Sequence, residues 1–522
     1  MAQTVNNIAI IGGGTAGWLT AARLASQLGC GRPGGVSIQL IESPLVPTIG
    51  VGEGTLPSLR LTLAKIGIDE AEFMRECDAT FKQGIEFANW MRGSRSGHAY
   101  FHPFNSPRAL GGVELAPYWA LNRAKLGNNY ADAVTPQVSI YSAGRAPKRL
   151  TDASFSGPMN YAYHLDIGRF ATYMQKVSER LGVIHTLDHI EHVNLDQRGF
   201  IGSLQSAKSG TIEADLFIDC TGFSAKLIGE AMGSELTPIA DTLFCDRAVA
   251  MPVSYDDPEA PIRCGTLSTA HEAGWTWDIA LSQRRGVGYV YSSAHSTTEQ
   301  AETILRSYVG PQADAAEPRH LKMQTGYRKT QWLGNCVAVG LSGGFLEPLE
   351  STGILMVEAA AELIADYFPR HGDFAAVANT FNRAMTERFE NAIDFIKMHF
   401  YLSDRRDSEF WIDNTKAESA PSSLLEKLEL WRYRLPNQFD LSSVHESFRH
   451  INYEYILLGM NAAPDLVANA SAFPHTDAAL REFQMIEQAT QRALAALPDH
   501  RQLINSVQIG GFGQKTAARA SR

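Results

Sequence analysis

Six cysteines among 522 residues are too few and too scattered for a disulfide framework. Cys30, Cys77, Cys220, Cys245, Cys264 and Cys336 form no C-x-x-C pair, so they read as reduced thiols of a cytoplasmic chain. Cys220 and Cys336 fall inside apolar strands and read as core residues. Long apolar runs are missing too: none reaches the roughly 18 residues that would span a bilayer. The N-terminus enters a strand within a few residues, which leaves no room for a signal peptide. Basic charge is in the minority, 46 Lys and Arg against 56 Asp and Glu for a net charge of -10. That balance argues against nucleic-acid partners and against binding to an anionic membrane. The stretch Lys515 to Arg522 is basic and rich in small residues, and a disordered tail is expected over 508–522. Histidines show no metal-ligand spacing, so no metal is expected.

What is present begins at the N-terminus. Asn7 to Ile11 is a short apolar, β-branched run, followed by Gly12-Gly13-Gly14-Thr15-Ala16-Gly17 and an apolar-periodic helix from Trp18 to Leu28. Gly12, Gly14 and Gly17 fit G-x-G-x-x-G: the first permits the tight turn, the second lets backbone approach a pyrophosphate, and the third lets helix pack on strand. Thr15 and Ala16 belong to the same turn. A second strand, Val36 to Ile41, ends in Glu42, suited to accept hydrogen bonds from a ribose. This order of strand, glycine turn and helix predicts a dinucleotide site and leaves NAD and FAD both open.

Two later segments favour FAD. Thr211 to Cys220 reads as a strand ending in Asp219-Cys220-Thr221-Gly222-Phe223, and Asn335 to Gly344, with Gly340 in it, as another strand running into a glycine turn. Both resemble the second and third signatures of FAD-dependent monooxygenases, in which distant segments return to one sheet around the flavin. Val51-Gly52-Glu53-Gly54-Thr55 is a glycine-rich loop with one acid, placed where such proteins line the flavin; its plain alternative is a flexible surface loop.

The block Phe345-Leu346-Glu347-Pro348-Leu349-Glu350-Ser351-Thr352-Gly353-Ile354 follows an apolar strand, Cys336 to Leu341, and opens a helix from about Ile354 to Phe368. Backbone N–H groups at a helix start lack intrahelical acceptors and sit at the positive end of the dipole, so this turn can hold an anion. Glu350 stands two residues before those donors. An anion site beside a carboxylate, in a chain that also binds a dinucleotide, points to redox chemistry that consumes a small anion.

With these blocks in hand, the sequence resembles the flavin-dependent halogenases of the tryptophan halogenase family. The likeness is carried by Gly12 to Trp18, Val51 to Thr55, Phe81-Lys82-Gln83-Gly84, Tyr163-His164-Leu165-Asp166, Trp275-Thr276-Trp277-Asp278-Ile279 and the block from Phe345. His399-Phe400-Tyr401 and Phe410-Trp411 follow in family order. The resemblance implies an enzyme that uses FADH2 from a separate flavin reductase, oxygen, and chloride or bromide to make hypohalous acid and halogenate an electron-rich aromatic such as indole or a tryptophan-like compound.

Roles carried over from the family fall on named positions. Lys82 would hold the oxidant by hydrogen bond or as a haloamine, and Glu350 would be its partner carboxylate, with Ser351 beside it on the substrate side. The backbone N–H groups of Thr352 and Gly353 would bind the halide. Gly52, Glu53, Gly222, Gly340 and Leu349 would join the glycine turn and Glu42 around the flavin. Trp275 and Trp277 would crowd the flavin so that organic substrate cannot reach it. Without the family, they read as an aromatic pair on one face of a strand. The family motif ends in Ile-Pro, whereas Ile279 is followed here by Ala280, which restores a backbone donor. His102 and Phe104 fall where the family sets rings against the substrate, and Tyr453 takes the place of a family tryptophan. The residues that grip the amino and carboxylate groups of free tryptophan are not recognisable.

From spacing alone Lys82 would be a solvated strand lysine: Phe81, Ile85 and Phe87 share one face of an expected strand, and Lys82, Gly84 and Glu86 the other. Burial would lower its pKa and make a nucleophilic amine accessible. The expected fold is α/β: an FAD-binding Rossmann-like module of flavin monooxygenase type, a second β-sheet, and a C-terminal helical module. Residues 1–360 would hold the flavin sheet, with strands near 8, 38, 215 and 337, and the second sheet, with segments near 85, 250, 277 and 288. Residues 361–507 would be the helical cap, with periodic stretches at Phe374 to Phe400, Ser423 to Tyr433 and Ala478 to Leu497. Two rival readings share the flavin signatures: an NAD(P)H-dependent FAD monooxygenase that hydroxylates its substrate, and a non-catalytic flavin binder. Native substrate, choice of halide, reductase and oligomeric state, a homodimer included, are left open by the sequence.

Overall fold

The computed structural model describes residues 4–46, 52–91, 99–108, 113–127, 129–371, 374–441 and 447–512. The chain folds as two compact units, each gathered from three stretches: Met1–Asp78, Leu165–Ala240 and Met323–Glu390 in the first, Ala79–His164, Asp241–Lys322 and Asn391–Arg522 in the second. The position 360 at which the sequence suggested a boundary lies inside helix Thr352–Asp366, and helix Phe374–Tyr401 supplies residues to both units.

The first unit is built on a six-stranded sheet ordered Trp332–Leu333, Cys336–Ala338, Leu216–Asp219, Asn7–Ile11, Ser37–Glu42 and Ile184–Leu187. Its inner pairs are parallel, with Ile8 opposite both Leu216 and Ile38. Parallel strands covered on both faces must be apolar throughout, which is why Ile8 to Ile11 are all buried. Helix Thr15–Leu28 packs against helices Ile167–Arg180 and Thr352–Asp366. It ends at Gly29 in the left-handed region, whose N–H reaches back to the Ala25 carbonyl. Asp166 caps Ile167–Arg180 by accepting from the Arg169 N–H.

The sequence reading of one strand over Thr211 to Cys220 is corrected here. Gly210–Ile212 closes a small antiparallel sheet with Ile201–Ser206 and Ile190–Leu195, while Leu216–Asp219 joins the parallel sheet. Asp215, at the break, accepts hydrogen bonds from the backbone N–H groups of Asn6 and Asn7, both at 2.9 Å, and so fixes where the second segment meets the first strand. Likewise the strand expected over Cys336 to Leu341 stops at Ala338 and turns through a 3-10 segment, Gly340–Ser342. The glycine-rich stretch after the second strand is not a surface loop where it is described: Gly52–Gly54 is extended, with Gly52 and Gly54 buried; Val51 lies outside the described residues.

The second unit centres on a seven-stranded sheet ordered Arg319–Lys322, Arg247–Ser254, Arg284–Tyr291, Gly274–Ala280, Thr266–Ala270, Gly84–Ala88 and Ala99–Pro103. The segments near 85, 250, 277 and 288 all fall in it, as the sequence suggests. Helix Thr298–Val309 covers one face, with Leu305 buried against Val249, Met251 and Val287. The helical stretches appear as Ser422–Leu430 and Thr476–Ala496, joined by His450–Gly459 and His500–Gly510, which the sequence reading did not anticipate. The last helix runs past position 508, where the tail was expected to begin; Lys515 to Arg522 lie outside the described residues.

The single strand expected through Phe81 to Phe87 is two. Thr80–Lys82 pairs antiparallel with Ala162–Asp166, and Gly84–Ala88 belongs to the large sheet. Gln83 makes the change of sheet: its N–H donates to the Cys264 carbonyl at 2.8 Å, its carbonyl accepts from the Phe104 N–H at 3.1 Å, and its side-chain amide reaches the Arg145 carbonyl at 2.8 Å. The alternation that made Lys82 a face-mate of Glu86 therefore does not hold.

Candidate active site

In the first unit the glycine turn is built by steric exclusion. Gly12 has φ +118°, and a Cβ there would lie 2.2 Å from the Cys220 carbonyl oxygen; one on Gly17 would lie 1.9 Å from the Gly12 carbonyl oxygen. These two positions admit no side chain because strand, turn and helix already touch. Gly14, which precedes helix residues Thr15 and Ala16, is different: a Cβ there meets nothing within 4 Å. An open position at a helix start is where a pyrophosphate can approach backbone.

Glu42 lies against this turn, since a Cβ on Gly13 would come 2.1 Å from its carboxyl carbon, and it pairs with Nε2 of His185 at 3.1 Å. The His185 ring meets the edge of Trp18 with centroids 4.9 Å apart. Gly222 and Gly340 both take left-handed φ, +71° and +72°. Asp219 ties their two turns together. Its buried carboxylate accepts from the backbone N–H groups of Thr221 at 3.0 Å and of Leu227 and Ile228 at 2.8 Å, and from the Thr221 and Ser342 hydroxyls at 2.6 and 3.1 Å. Neither His185 nor Ser342 carried a sequence signal.

The anion turn lies in the same unit. Pro348–Glu350 is a 3-10 turn with Leu349 and Glu350 buried, and Ser351 takes the left-handed conformation at φ 57°. Helix Thr352–Asp366 starts directly after it, two residues earlier than expected, and the Ser351 side chain does not cap it. Thr352 is buried and Gly353 is exposed. A fifteen-residue helix presents the positive end of its dipole at this start to whatever anion reaches it.

The lysine lies in the second unit. Lys82 is 0 % exposed, and its Nζ stands 5.4 Å from the centroid of the Phe104 ring. Register places Lys82 opposite Ala162 and Thr80 opposite His164, so these four share one face of the hairpin, while Phe81 and Tyr163 point to the other. On that second face the Phe81 ring meets Tyr161 and Tyr163 with centroids 5.1 and 6.1 Å apart. Two bonds fix the strand from outside: the Thr80 hydroxyl donates to the Ala280 carbonyl at 2.6 Å, and the Phe81 N–H donates to Nε2 of His500 at 3.2 Å. Burial pushes the His500 imidazole down to about 4, so it stays a neutral acceptor.

Ala280, the position that departs from the family motif, continues strand Gly274–Ala280 opposite Arg285. Trp275 and Trp277 are both buried on that strand with ring centroids 6.4 Å apart. Trp277 pairs with Gly288, and a Cβ on that glycine would lie 2.1 Å from the indole. His102 is buried on strand Ala99–Pro103. It meets Asn452 Nδ2 at 3.0 Å rather than Tyr453. The Tyr453 hydroxyl is bonded to Asn391 at 3.1 Å, and its ring packs on Phe395, which also meets His102. Asn452 is thus a partner of candidate residue His102 that the sequence did not single out, although it lies within the quoted stretch from Asn452 to Tyr455.

The glycine turn, the open helix start and the two returning segments define an FAD-binding Rossmann-like fold. Residues 7–474 match the family model described as tryptophan halogenase. The tryptophan 6-halogenase SttH of Streptomyces toxytricini is 34% identical over 514 residues, covering 94% of this chain and 96% of that protein. The 7-chloro-L-tryptophan 6-halogenase KtzR of Kutzneria sp. (strain 744) is 34% identical, covering 94% and 97%. The crystal structure of tryptophan halogenase from Shewanella frigidimarina NCIMB 400 superposes with a TM-score of 0.94 at 38% identity, covering 98% of this chain and 99% of that one. The chain belongs to the tryptophan halogenase family. It is a flavin-dependent halogenase, which sets aside the hydroxylating monooxygenase and the non-catalytic flavin binder.

Proposed function

We propose that this enzyme halogenates an electron-rich aromatic ring, indole or a tryptophan-like compound, with chloride or bromide. The observation that carries this reading is the complete burial of Lys82 beside an aromatic ring. Withdrawing an ammonium from water costs several kcal/mol, and Lys82 is held at 0 % exposure all the same.

The turn of Gly12, Gly14, Thr15, Ala16 and Gly17 would hold the pyrophosphate, Glu42 the ribose, and Gly52, Glu53, Gly222, Gly340 and Leu349 the rest of FAD. The open space at Gly14 fits that group. Bound as FADH2 delivered by a separate reductase, the cofactor supplies the electrons by which oxygen and halide yield hypohalous acid. Thr352 and Gly353 would bind the halide through backbone N–H groups. Lys82 would receive the oxidised halogen as a hydrogen-bonded oxidant or a haloamine, and Glu350 would take the ring proton, with Ser351 on the substrate side. His102 and Phe104 would flank the substrate ring with Tyr453 behind them, and Trp275 and Trp277 would keep the substrate from the flavin. The six cysteines are free and buried, which suits a cytoplasmic enzyme.

The test is a product assay with FAD, a flavin reductase, NADH, oxygen, bromide or chloride, and indole or tryptophan. Halogenated ring by mass spectrometry is expected. Hydroxylated product alone would return the chain to the monooxygenase reading, and full halogenation by Lys82→Ala would remove the lysine from the mechanism. Bromide soaked into crystals should give density at the Thr352 and Gly353 amides.

A further inference from the structure

His164 is fully buried, and one of its ring nitrogens is accounted for: Nε2 meets the Thr266 hydroxyl at 2.8 Å. The other, Nδ1, has no hydrogen-bond partner among the described residues. A buried polar atom left bare costs on the order of 1–3 kcal/mol and asks for a reason. With Nε2–H donating to Thr266, Nδ1 carries a free lone pair.

Register supplies the context. Thr80 stands opposite His164 and Lys82 opposite Ala162, so Lys82 and His164 are diagonal neighbours on one face, and only a methyl group projects directly across from the lysine. The titratable groups bearing on His164 are Lys82 from its partner strand and His500 from the last helix. Burial first, then the charge of Lys82, holds the imidazole well below its usual range. His500 is itself neutral above about 4, so at neutral pH Lys82 is the charge that counts.

We propose that His164 acts through Lys82 as a positioning residue that stores, on Nδ1, the proton released when the lysine nitrogen takes up halogen. The inference rests on the haloamine form of the reading above. An ammonium and hypohalous acid give a haloamine, water and one proton. The ammonium must first give up one proton to an acceptor in a dry interior; the lone pair so freed forms the N–halogen bond as the halogen–oxygen bond breaks, and the departing hydroxide takes a second proton from nitrogen to leave as water. Once the lysine nitrogen is uncharged its share of the force holding His164 neutral is gone, while the larger share, burial, remains, so the two sites share one proton between them. When the ring takes the halogen, the N–halogen electron pair returns to nitrogen. The ring proton and the stored proton then restore the ammonium.

The experiment loads the lysine without flavin. Wild type and His164→Gln are treated with stoichiometric hypochlorous acid across pH 6–9, and chlorination of the Lys82 peptide is followed by mass spectrometry. Loading in the variant is expected to be on the order of tenfold or more slower near pH 7, within the range of general acid–base effects. The gap should close as pH rises and Lys82 needs to shed fewer protons. Equal rates throughout would overturn the role of His164 while leaving Lys82 in place; failure of Lys82 to load in wild type would overturn the haloamine reading and the inference with it. An independent readout is the ring-nitrogen NMR titration of His164, identified by sequence-specific assignment of the wild-type spectrum. In Lys82→Met its pKa should rise, and an unchanged value would refute the coupling even if the glutamine variant failed to fold.

Discussion

Lys82 holds its ammonium 5.4 Å from the centroid of the Phe104 ring, and neither is placed there by its neighbours in sequence alone. Gln83 bonds to the Phe104 N–H as the chain changes sheets, so one backbone link sets both the lysine and the ring. Lys82→Met tests what the charge is for. The substitution keeps the volume, so the variant should still fold, with any loss of thermal stability held within about 3–5 kcal/mol. Halogenated product should disappear. Failure to fold, together with loss of product, would mean that the lysine is structural.

How far the sequence carried depends on how local each feature is. The central strands Asn7–Ile11, Leu216–Asp219 and Cys336–Ala338 are apolar runs ending near glycine or Asp219, and burial on both faces makes such strands visible without partners. Ile184–Leu187, at the sheet edge and mostly solvated, left no such mark. Alternation over Phe81 to Phe87 fitted a single strand because nothing in the sequence shows that Gln83 will find Cys264, Arg145 and Phe104. His500 is beyond reach of any pattern: its bond to Phe81 spans a sequence separation of 419. The unmet Nδ1 of His164 is a fact about surroundings and could be read only from coordinates.

Gly14→Ala separates cofactor binding from folding. Among the described residues no atom stands within 4 Å of the added methyl group, and Gly14 has φ -78°, which alanine adopts freely. Stability without flavin should therefore change by less than about 0.5 kcal/mol. FAD affinity, followed by flavin fluorescence, should fall tenfold or more, a difference of about 1.4 kcal/mol. Gly17→Ala is the contrasting case, because its methyl group would strike the Gly12 carbonyl and the fold itself should weaken. Unaltered flavin affinity in Gly14→Ala would mean that the pyrophosphate does not approach at this turn.

Gly288→Ala probes the tryptophan pair without substituting either tryptophan. Its Cβ would lie 2.1 Å from Trp277, so the indole must move, at a cost of about 1–3 kcal/mol for overpacking. If Trp277 shields the flavin, peroxide released per FADH2 consumed should rise severalfold, with product falling in step. Trp277→Phe, which removes volume instead of displacing it, should give the same uncoupling without the clash. A stability loss in Gly288→Ala with coupling intact would leave Trp277 as a core residue only.

Glu358 contributes to the alkaline limb of stability, as does Glu454, likewise pushed up to about 8 by burial. Burial pushes its carboxyl up to about 8 from the ordinary 4.5, against the opposing effect of the Thr62 and Ser58 hydroxyls that donate to it at 2.6 and 3.1 Å. The folded chain thus holds a proton that the unfolded chain has released above 4.5. This contribution is complete below 4.5, declines as pH rises, and is gone once pH passes 8; it amounts to roughly 5 kcal/mol at most. His500 has the opposite sign: depressed to about 4, it withdraws stability as pH falls from its ordinary 6.5. Glu358→Gln keeps the shape and removes only the first titration. Its melting temperature should match wild type near pH 5 and exceed it by a margin that grows up to pH 9, while the acid limb stays as it was. A constant difference across that range would show that Glu358 is ionised in the folded chain at neutral pH.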